Sequence, residues 1–161
     1  MYQGKSLIII PSYNEAENIV DIINDVIVKR ASFHVLVVDD NSPDKTYELV
    51  EEEIIKNPKK IFLIKRKKKS GLGTAYVEGF KWAIDNGYER IFEMDADYSH
   101  DPEDLQRMNV FLDNDGYDVV IGSRYISGVN VVNWPIQRVL LSYFASILSL
   151  IHISEPTRQA M

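Results

Sequence analysis

Short apolar runs without polar alternation recur along the chain, separated by segments of helical periodicity. Two of them, Ser6 to Pro11 (SLIIIP) and His34 to Asp40 (HVLVVDD), are rich in β-branched residues, which is typical of strands buried on both faces. Similar runs at Ile61 to Arg66, Arg90 to Asp97 and Asp118 to Arg124 predict three further strands. Because strand and helix alternate in this way, we predict an α/β fold with a mostly parallel sheet and right-handed crossovers.

The segments between the runs carry apolar stripes and helix-start signals. The first predicted helix has its apolar residues at helical spacing: Ile19, Ile22, Ile23, Val26 and Ile27. Ser42 predicts an N-cap with Pro43 at the first helical position, and Asp101 to Asp104 (DPED) predicts another helix start. Ser70 is a candidate cap for a helix whose apolar face holds Tyr76, Phe80, Ala83 and Ile84.

The composition narrows the class of protein. A chain of 161 residues, 45% hydrophobic and 26% charged, is enough for one globular domain. A net charge of -6 argues against general nucleic-acid binding, and the absence of cysteine excludes disulfides and cysteine-ligated zinc. The N-terminus has no signal-peptide layout, and no segment reaches the roughly 18 to 20 apolar residues of a membrane helix. We therefore expect a soluble, cytoplasmic protein.

Polar side chains gather where the predicted strands end. They are Tyr13, Asn14 and Glu15 after the first strand, Asp39 and Asp40 after the second, Asp95 and Asp97 after the fourth, and Arg124 after the fifth. Ligands of parallel α/β sheets bind beyond the carboxyl ends of the strands. Scattered surface charge would show no such preference, so the clustering predicts a binding site at this edge of the sheet.

The pair Asp95 and Asp97 raises a question of charge balance. Two carboxylates held this close repel each other and cost stability unless a positive group lies between them. An Asp-x-Asp sequence can supply oxygen ligands to Mg²⁺ or Mn²⁺, and an ion held this way usually also binds phosphates. The ligand would then be a nucleotide or a sugar diphosphate. The alternative is a helix-capping loop, because acidic residues are common before a helix N-terminus.

Two other motifs leave alternatives open. Asp39 and Asp40 could form a second metal-ligand pair, accept hydrogen bonds from a ribose or a base, or make an Asx-turn into the helix that follows. Gly71 and Gly73 resemble a phosphate loop, but the next glycine is Gly79, so the dinucleotide fingerprint fails. Glycines that permit a tight turn into a close-packed helix are the favoured interpretation.

The remaining candidates are cationic. The run Lys65 to Lys69 (KRKKK) is either a solvated face or a surface that attracts anionic lipid headgroups or phosphates. Arg124 could hold a phosphate with its planar guanidinium or form a surface salt bridge. His100 could be a third metal ligand, a base or an ordinary loop histidine. Neither His34 nor His152 has the context of a Ser-His-Asp arrangement.

Together these residues resemble a family-2 glycosyltransferase with the GT-A fold. The resemblance is greatest to the branch of dolichyl-phosphate mannose synthases and polyprenyl-phosphate glycosyltransferases. It rests on these motifs, in this order: IIIPSYNEAENI (Ile8 to Ile19), VVDDNSPDKT (Val37 to Thr46), GLGTAYVEGFKWA (Gly71 to Ala83), MDADYSHDPEDL (Met94 to Leu105) and DVVIGSRYISGV (Asp118 to Val129). An Asp-x-Asp alone is a weak signal, whereas the ordered set is specific.

The resemblance implies a Rossmann-like, mostly parallel sheet with helices on both faces, and a role for each motif residue. Those that would line the nucleotide base and ribose are Pro11, Tyr13, Glu15, Val38 and Asp40. Asp95 and Asp97 would hold Mg²⁺ or Mn²⁺ against the donor diphosphate, with Ala96 touching the nucleotide. Ser99 stands where some members place a further metal ligand. Arg124 would contact the donor diphosphate or the acceptor phosphate.

The implied reaction is the transfer of mannose from GDP-mannose onto a dolichyl-type phosphate, with inversion at the anomeric carbon. UDP-glucose and undecaprenyl phosphate are the alternative substrates. The implied location is peripheral, at the cytoplasmic face of a membrane, with a possible membrane-anchoring partner subunit. A phosphoacceptor signalling domain is disfavoured, because its acidic pair would follow the first strand and a lysine the fifth.

The family's catalytic domain normally continues beyond the end of this chain. We therefore expect residues 1–150 to be the donor-binding portion of a C-terminally truncated catalytic domain, and residues 151–161 to be a tail, for which a non-native origin is one alternative. A truncated, non-catalytic remnant that binds nucleotide-sugar is the corresponding alternative function. Val139 to Leu150 is either an apolar helix near the lipid acceptor or an ordinary core helix.

Overall fold

A parallel sheet forms the centre of the chain in the computed structural model, which describes residues 5–29, 32–114, 117–122, 136–137, 140–142 and 144–145. Its strands are β1 (Ser6–Ser12), β2 (Phe33–Asp39), β3 (Ile61–Lys65) and β4 (Arg90–Glu93). They lie in the order β3-β2-β1-β4, and every neighbouring pair is parallel. The predicted mostly parallel α/β sheet is confirmed.

The helices are α1 (Ile19–Lys29), α2 (Thr46–Lys56), α3 (Leu72–Asp85) and α4 (Asp104–Asn114). Alternate residues of the strands face opposite sides, so β1 and β2 supply two separate cores. Ile8 and Val35 pack with residues of α1, α2 and α4 on one face, whereas Ile9 and Leu36 pack with α3 on the other. All five apolar residues predicted for the stripe of α1 are buried. Helices therefore cover both faces, as the resemblance implied.

The predicted strands differ from the observed ones mainly at their carboxyl ends. β4 ends at Glu93 and not at Asp97, because the chain turns after Met94, whose N–H still donates to the Ile9 carbonyl at 3.1 Å. The prediction of a fifth strand is wrong for its described part, since residues 117–122 pair with none of the described strands. Val119 and Ile121 are exposed there, so they lack the burial on which the strand prediction depended.

Two predicted helix starts are displaced toward the C-terminus, and a third is confirmed. α2 begins at Thr46, because the Ser42 hydroxyl donates to Asp39 and does not cap the helix. α3 follows Gly71, which has a φ of 94° and no side-chain cap, so Ser70 is not the cap either. α4 begins at Asp104, within the predicted range Asp101 to Asp104, and Asp101 Oδ1 accepts the Glu103 N–H at 2.9 Å as an N-cap side chain does. At Ser42 a local hydrogen bond competes with helix capping for the same hydroxyl.

The apolar face predicted for α3 is confirmed in all but one of its positions. Ala83 is buried, and Tyr76 and Phe80 are partly buried against the same core. Ile84 continues the row of Tyr76 and Phe80 at a spacing of four residues, but it is 69% exposed, so its assignment to the core was wrong.

α3 approaches β1 closely at Gly79. A Cβ atom added to Gly79 would lie 2.8 Å from the Ile9 Cγ2 atom, whereas one added to Gly73 meets nothing within 4 Å. Gly79 is therefore required for packing, in agreement with the interpretation of this glycine-rich motif as a close-packed turn and helix.

We expect Gly79→Ala to lower the free energy of unfolding by about 1–3 kcal/mol, because the added methyl group overpacks the α3–β1 contact. Gly73→Ala is the matched control in the same helix. It should be neutral or stabilise by about 0.5–1 kcal/mol, since alanine loses less conformational entropy than glycine on folding. Urea unfolding of both variants measures the difference, and equal effects would contradict the packing role of Gly79.

The chain divides into two compact units, Met1–Gly122 and Ser123–Met161. All four strands and the helices α1 to α4 belong to the first unit. In the second, residues 136–137, 140–142 and 144–145 are helical, which covers part of the predicted helix from Val139 to Leu150. The tail over residues 151–161 lies outside the described residues. No helix within the described ranges is long and apolar enough to cross a membrane.

Candidate functional site

The carboxyl ends of the strands meet at one edge of the sheet. Ser12 of β1 is the register partner of Asp39 in β2, which in turn pairs with Lys65 of β3. The last residue of β4, Glu93, lies beside Ile9 of β1. The segments that follow these strands carry the predicted polar residues Tyr13, Glu15, Asp40, Asp95 and Asp97. The predicted gathering of polar side chains at this edge is thus observed.

The backbone adopts an unusual conformation after three of the four strands. Asn14, Asn41 and Tyr98 have φ values of 62°, 58° and 58°. Asparagine tolerates this left-handed region, whereas a bulky side chain such as tyrosine rarely adopts it. The Tyr98 hydroxyl donates to Asp25 Oδ2 of α1 at 3.3 Å, which ties the strained loop to the fold. Strained backbone of this kind concentrates at functional sites.

The loop after β1 is held by the loop after β2. The backbone N–H groups of Asn14 and Glu15 donate to the hydroxyls of Ser42 and Thr46, at 3.1 Å and 3.0 Å. Ala16 N–H donates to the Asp44 carboxylate at 3.0 Å. Burial acts to raise the pKa of Asp44, but hydrogen bonds from Thr46 and Ala16 outweigh it and lower that pKa. These contacts fix Tyr13 and Glu15 beside the end of β2.

Asp95 and Asp97 lie in the loop after β4, where Asp95 is partly buried and Asp97 is exposed. The intervening Ala96 is buried, as is Met94 before the pair. Tyr76 of α3 donates its hydroxyl to Asp95 Oδ1 at 3.3 Å. Within the described residues, neither carboxylate forms an ion pair with a lysine or an arginine.

Ser99 stabilises the charged form of Asp97. Its backbone N–H donates to Asp97 Oδ1 at 2.9 Å, and its side chain is also hydrogen-bonded to that carboxylate. Burial would raise the pKa of Asp97, but these hydrogen bonds and the nearby His100 lower it. Asp97 therefore remains anionic at neutral pH. The predicted role of Ser99 as a metal ligand stays a prediction.

Glu15 lies close enough to Asp95 and Asp97 for their charges to affect its pKa. Burial raises its pKa most, a hydrogen bond with Asn18 opposes this, and the charges of Asp97, Asp44 and Asp95 raise it further. The carboxylates of Glu15, Asp95 and Asp97 thus concentrate negative charge at the edge of the sheet, where no lysine or arginine among the described residues pairs with Asp95 or Asp97. A bound cation would relieve this repulsion.

His100 contacts Asp95 in a way that determines its tautomer. The Asp95 backbone N–H donates to His100 Nδ1 at 3.2 Å, so a neutral His100 carries its proton on Nε2. His100 Nε2 lies 4.0 Å from Asp95 Oδ2. In this tautomer neither ring nitrogen is available to a metal, which favours the interpretation as a loop histidine that positions Asp95.

The carboxylate pair fits a divalent cation that is shared with a ligand. No group of three or more histidine, cysteine or acidic side chains suited to a metal occurs within the described parts of the chain. Mg²⁺ is usually held by one or two carboxylates together with substrate phosphates, and it retains several waters. Asp95 and Asp97 supply such a partial ligand set, to which a diphosphate would add the remainder.

Asp39 and Asp40, adjacent in sequence, have different roles. Asp39 is fully buried and accepts hydrogen bonds from the Ser12 hydroxyl at 2.9 Å and from the Ser42 N–H at 2.9 Å. It belongs to the turn after β2, as one alternative proposed. Asp40 lies at the edge of the sheet, where its Oδ2 accepts from the Ser70 N–H at 3.0 Å. A second metal-ligand pair is therefore disfavoured.

Arg66 is the functional-site residue that the sequence did not reveal. Within the run Lys65 to Lys69 its side chain is only 10% exposed, and its Nη1 lies 2.7 Å from Asp40 Oδ1. Lys69 places its Nζ 3.7 Å from the ring centroid of Tyr13. The run is thus partly solvated and partly built into the site. The only signal in the sequence for a role of this run at the site was its charge density. The partners of Arg66 could not be identified because they are distant in sequence.

The other predicted residues lie at the strand ends or outside the described chain, and their roles stay predictions. Pro11 and Val38 are register partners at the ends of β1 and β2. The side chain of Val38 is fully buried, so a ligand could meet only its backbone. Arg124 lies outside the described residues, as does His152. His34 contacts Tyr88 at 2.6 Å near the opposite end of the sheet, which removes it from the site.

Comparison with known proteins adds independent information. The model of the family "Glycosyl transferase family 2" matches residues 7–158. The chain is 45% identical over 145 residues to polyprenol monophosphomannose synthase of Mycolicibacterium smegmatis, covering 90% of this chain and 54% of that protein. It is 40% identical over 141 residues to undecaprenyl-phosphate mannosyltransferase of Micrococcus luteus, covering 88% and 57%. The chain thus spans little more than half the length of these curated relatives.

A solved structure supports the fold. A crystal structure of S. aureus TarS, residues 1–349 in complex with UDP, superimposes with a TM-score of 0.62 and 27% identity. The match covers 81% of this chain and 38% of that chain. The family match, the parallel sheet and the acidic loop after β4 agree with one another. The chain belongs to glycosyl transferase family 2.

Proposed function

We propose that this chain is the donor-binding part of a metal-dependent, inverting glycosyltransferase that moves mannose from GDP-mannose onto a polyprenyl, dolichyl-type phosphate. The observation that carries the proposal is the pair Asp95 and Asp97, which projects from the carboxyl end of β4 without a lysine or arginine partner among the described residues. One curated relative is named as a synthase of polyprenol monophosphomannose, and the other as a mannosyltransferase of undecaprenyl phosphate.

The donor would lie across the edge of the sheet. Asp95 and Asp97 would hold Mg²⁺ or Mn²⁺, with Ser99 as a further candidate ligand. When bound, such an ion offsets the negative charge that develops on the leaving nucleoside diphosphate. Hydrogen bonds that lower the pKa of Asp97 keep that carboxylate charged for this purpose.

The remaining donor contacts come from β1, β2 and the loops that follow them. The candidate residues for the base and ribose are Pro11, Tyr13, Glu15, Val38 and Asp40, with Ala96 touching the nucleotide. Contacts between the two loops fix Tyr13 and Glu15 beside the end of β2, which supports a preformed pocket. Arg124 is proposed to contact the donor diphosphate or the acceptor phosphate.

The acceptor would supply its own nucleophile. A phosphate monoester has a second pKa of about 6, so it is largely dianionic at neutral pH and needs no strong base. This is consistent with the site, where His100 Nδ1 accepts a hydrogen bond from the Asp95 N–H and so is not free to act as a base. Direct displacement at the anomeric carbon would invert its configuration.

The acceptor also suggests a location. A polyprenyl phosphate resides in a bilayer, so we propose peripheral association at the cytoplasmic face of a membrane, where a membrane-anchoring partner subunit could hold the enzyme near its substrate. A glucosyltransferase that uses UDP-glucose is the second candidate. The likeness to TarS in complex with UDP favours keeping UDP among the nucleotides to be tested.

Calorimetric titration of the purified chain tests the proposal. GDP, GDP-mannose, UDP and UDP-glucose are each added in Mn²⁺ and again in EDTA. We expect GDP and GDP-mannose to bind in Mn²⁺, and their affinity to fall by at least tenfold in EDTA, about 1.4 kcal/mol. Selective binding of UDP would favour the second candidate. A chain that is folded by circular dichroism but binds none of the four nucleotides would contradict both.

A further inference from the structure

Arg66 is partly buried after the end of β3, with its side chain between Asp40 and α3. Its side chain is 10% exposed, whereas Lys67 and Lys68, which follow it, are exposed. A cation this far from water requires compensating partners, because desolvation of an unpaired charge is costly. The location of those partners indicates what the residue does.

The guanidinium group of Arg66 joins three side chains from two elements. Nη1 lies 2.7 Å from Asp40 Oδ1, immediately after β2. From α3, Glu78 Oε2 lies 3.2 Å from Nε, and Thr74 Oγ1 accepts a hydrogen bond from Nη2 at 2.6 Å. A planar guanidinium with donors on several edges can make these contacts together, whereas a lysine ammonium cannot. Arg66 is therefore fixed by α3 and in turn fixes Asp40.

The Asp40 carboxylate depends on Arg66 for the compensation of its buried charge. Its Oδ2 accepts from the Ser70 N–H, but the approach of Arg66 to Oδ1 does not have hydrogen-bond geometry. Oδ1 is therefore a buried oxygen without a hydrogen-bond donor, on a residue that is 6% exposed. Buried polar atoms without a partner are uncommon and cost free energy. The positive charge of Arg66, 2.7 Å away, is therefore the compensation that this buried oxygen receives.

We infer that Arg66 is a positioning residue that holds the Asp40 carboxylate where it accepts a hydrogen bond from the nucleotide, through a ring N–H of the base or a ribose hydroxyl. The inference rests on the proposed function, which supplies the nucleotide. Arg66 contacts the ligand only through Asp40. Thr74 and Glu78 hold the guanidinium in place, which gives part of the glycine-rich motif of α3 a function at the site.

The test compares Arg66→Met, Asp40→Asn and the double variant, with Lys67→Met as the matched control in the same basic run. We expect each single change to weaken binding of GDP in Mn²⁺ by roughly tenfold or more, since hydrogen bonds to charged groups are strong. The double variant should bind no more weakly than the weaker single variant, because both changes remove the same interaction. Lys67→Met should bind like the wild-type chain.

A second readout does not depend on the nucleotide. Hydrogen exchange of the Ser70 amide reports whether the Asp40 carboxylate is still in place, because that amide donates to it. We expect exchange to accelerate by about tenfold or more in Arg66→Met and to be unchanged in Lys67→Met. If Arg66→Met fails to fold, the double variant removes both buried charges and keeps the comparison with Asp40→Asn possible.

Each result has a defined meaning. If Arg66→Met binds GDP like Lys67→Met, or if the single effects multiply in the double variant, Arg66 does not act through Asp40. Failure of the wild-type chain to bind any nucleotide would refute the proposed function. Accelerated Ser70 exchange in Arg66→Met would then still support the positioning of Asp40, and unchanged exchange would refute that as well.

Discussion

Asp97→Asn is expected to abolish the metal dependence of nucleotide binding. In Mn²⁺ the affinity for GDP should fall by about 100-fold, or about 2.7 kcal/mol, because a neutral amide is a poor ligand for a hard divalent cation. Asparagine keeps an oxygen that can accept the Ser99 N–H, so the loop should retain its shape. The change therefore removes charge without removing the turn.

In EDTA the same variant should bind GDP as well as the wild-type chain, or better. Without a cation, the Asp97 carboxylate repels the diphosphate, and this repulsion disappears with the charge. The ratio of affinities in Mn²⁺ and in EDTA should thus approach one in the variant. A merely structural role of Asp97 would weaken binding equally in both buffers, so the two titrations separate these explanations.

Asp101→Asn is the matched control for Asp97→Asn. Asp101 is an exposed carboxylate close to the pair in sequence, and its Oδ1 accepts the Glu103 N–H just as Asp97 Oδ1 accepts the Ser99 N–H. Asparagine can keep that turn as well, and we expect the Mn²⁺ dependence of this variant to match the wild type. If Asp97→Asn retains the wild-type ratio of affinities, the loop after β4 is not the metal site.

The sheet was predictable from the sequence because burial on both faces leaves an unambiguous pattern. Uninterrupted β-branched runs define β1 and β2, and the spacing of Ile19, Ile22 and Val26 defines the buried face of α1. These signals are local, so one sequence is enough to interpret them. The gathering of polar residues at the strand ends followed from the parallel topology alone.

The helix starts were less predictable because polar side chains had several possible partners. Serine is a residue type favoured at N-caps. The hydroxyl of Ser42 instead donates to the buried Asp39 and accepts from the Asn14 N–H. Which of these hydrogen bonds forms depends on a residue that is 28 positions away in sequence. Propensity rules describe the local competition and not the tertiary outcome.

The network around Arg66 was hidden for the same reason. Most basic runs are solvated, and the neighbours of Arg66 in the run do not reveal that α3 will return over its side chain. The contacts with Asp40 and Glu78 connect β2, β3 and α3, which only the folded chain brings together. Gly79 indicates the same close approach of α3, although its packing partner Ile9 is 70 positions earlier by residue number.

The second large effect is expected at Asp39, whose carboxylate joins the ends of β1 and β2 beneath the site. Asp39→Ala removes the acceptor of the Ser12 hydroxyl and of both the N–H and the hydroxyl of Ser42. Because all three residues are buried, their donors would be left without a partner. We expect the free energy of unfolding to fall by about 3–5 kcal/mol, measured by urea denaturation.

Two further variants identify the cause of that loss. Ser12→Ala removes one donor and its hydrogen bond, and it should cost only about 0.5–1.5 kcal/mol. In the double variant Asp39→Ala/Ser12→Ala the orphaned Ser12 hydroxyl is absent, so the combined loss should be smaller than the sum of the single losses. Strict additivity would mean that the two residues do not interact. Asp39 would then contribute to stability by a route other than the hydrogen bonds that join the strand ends.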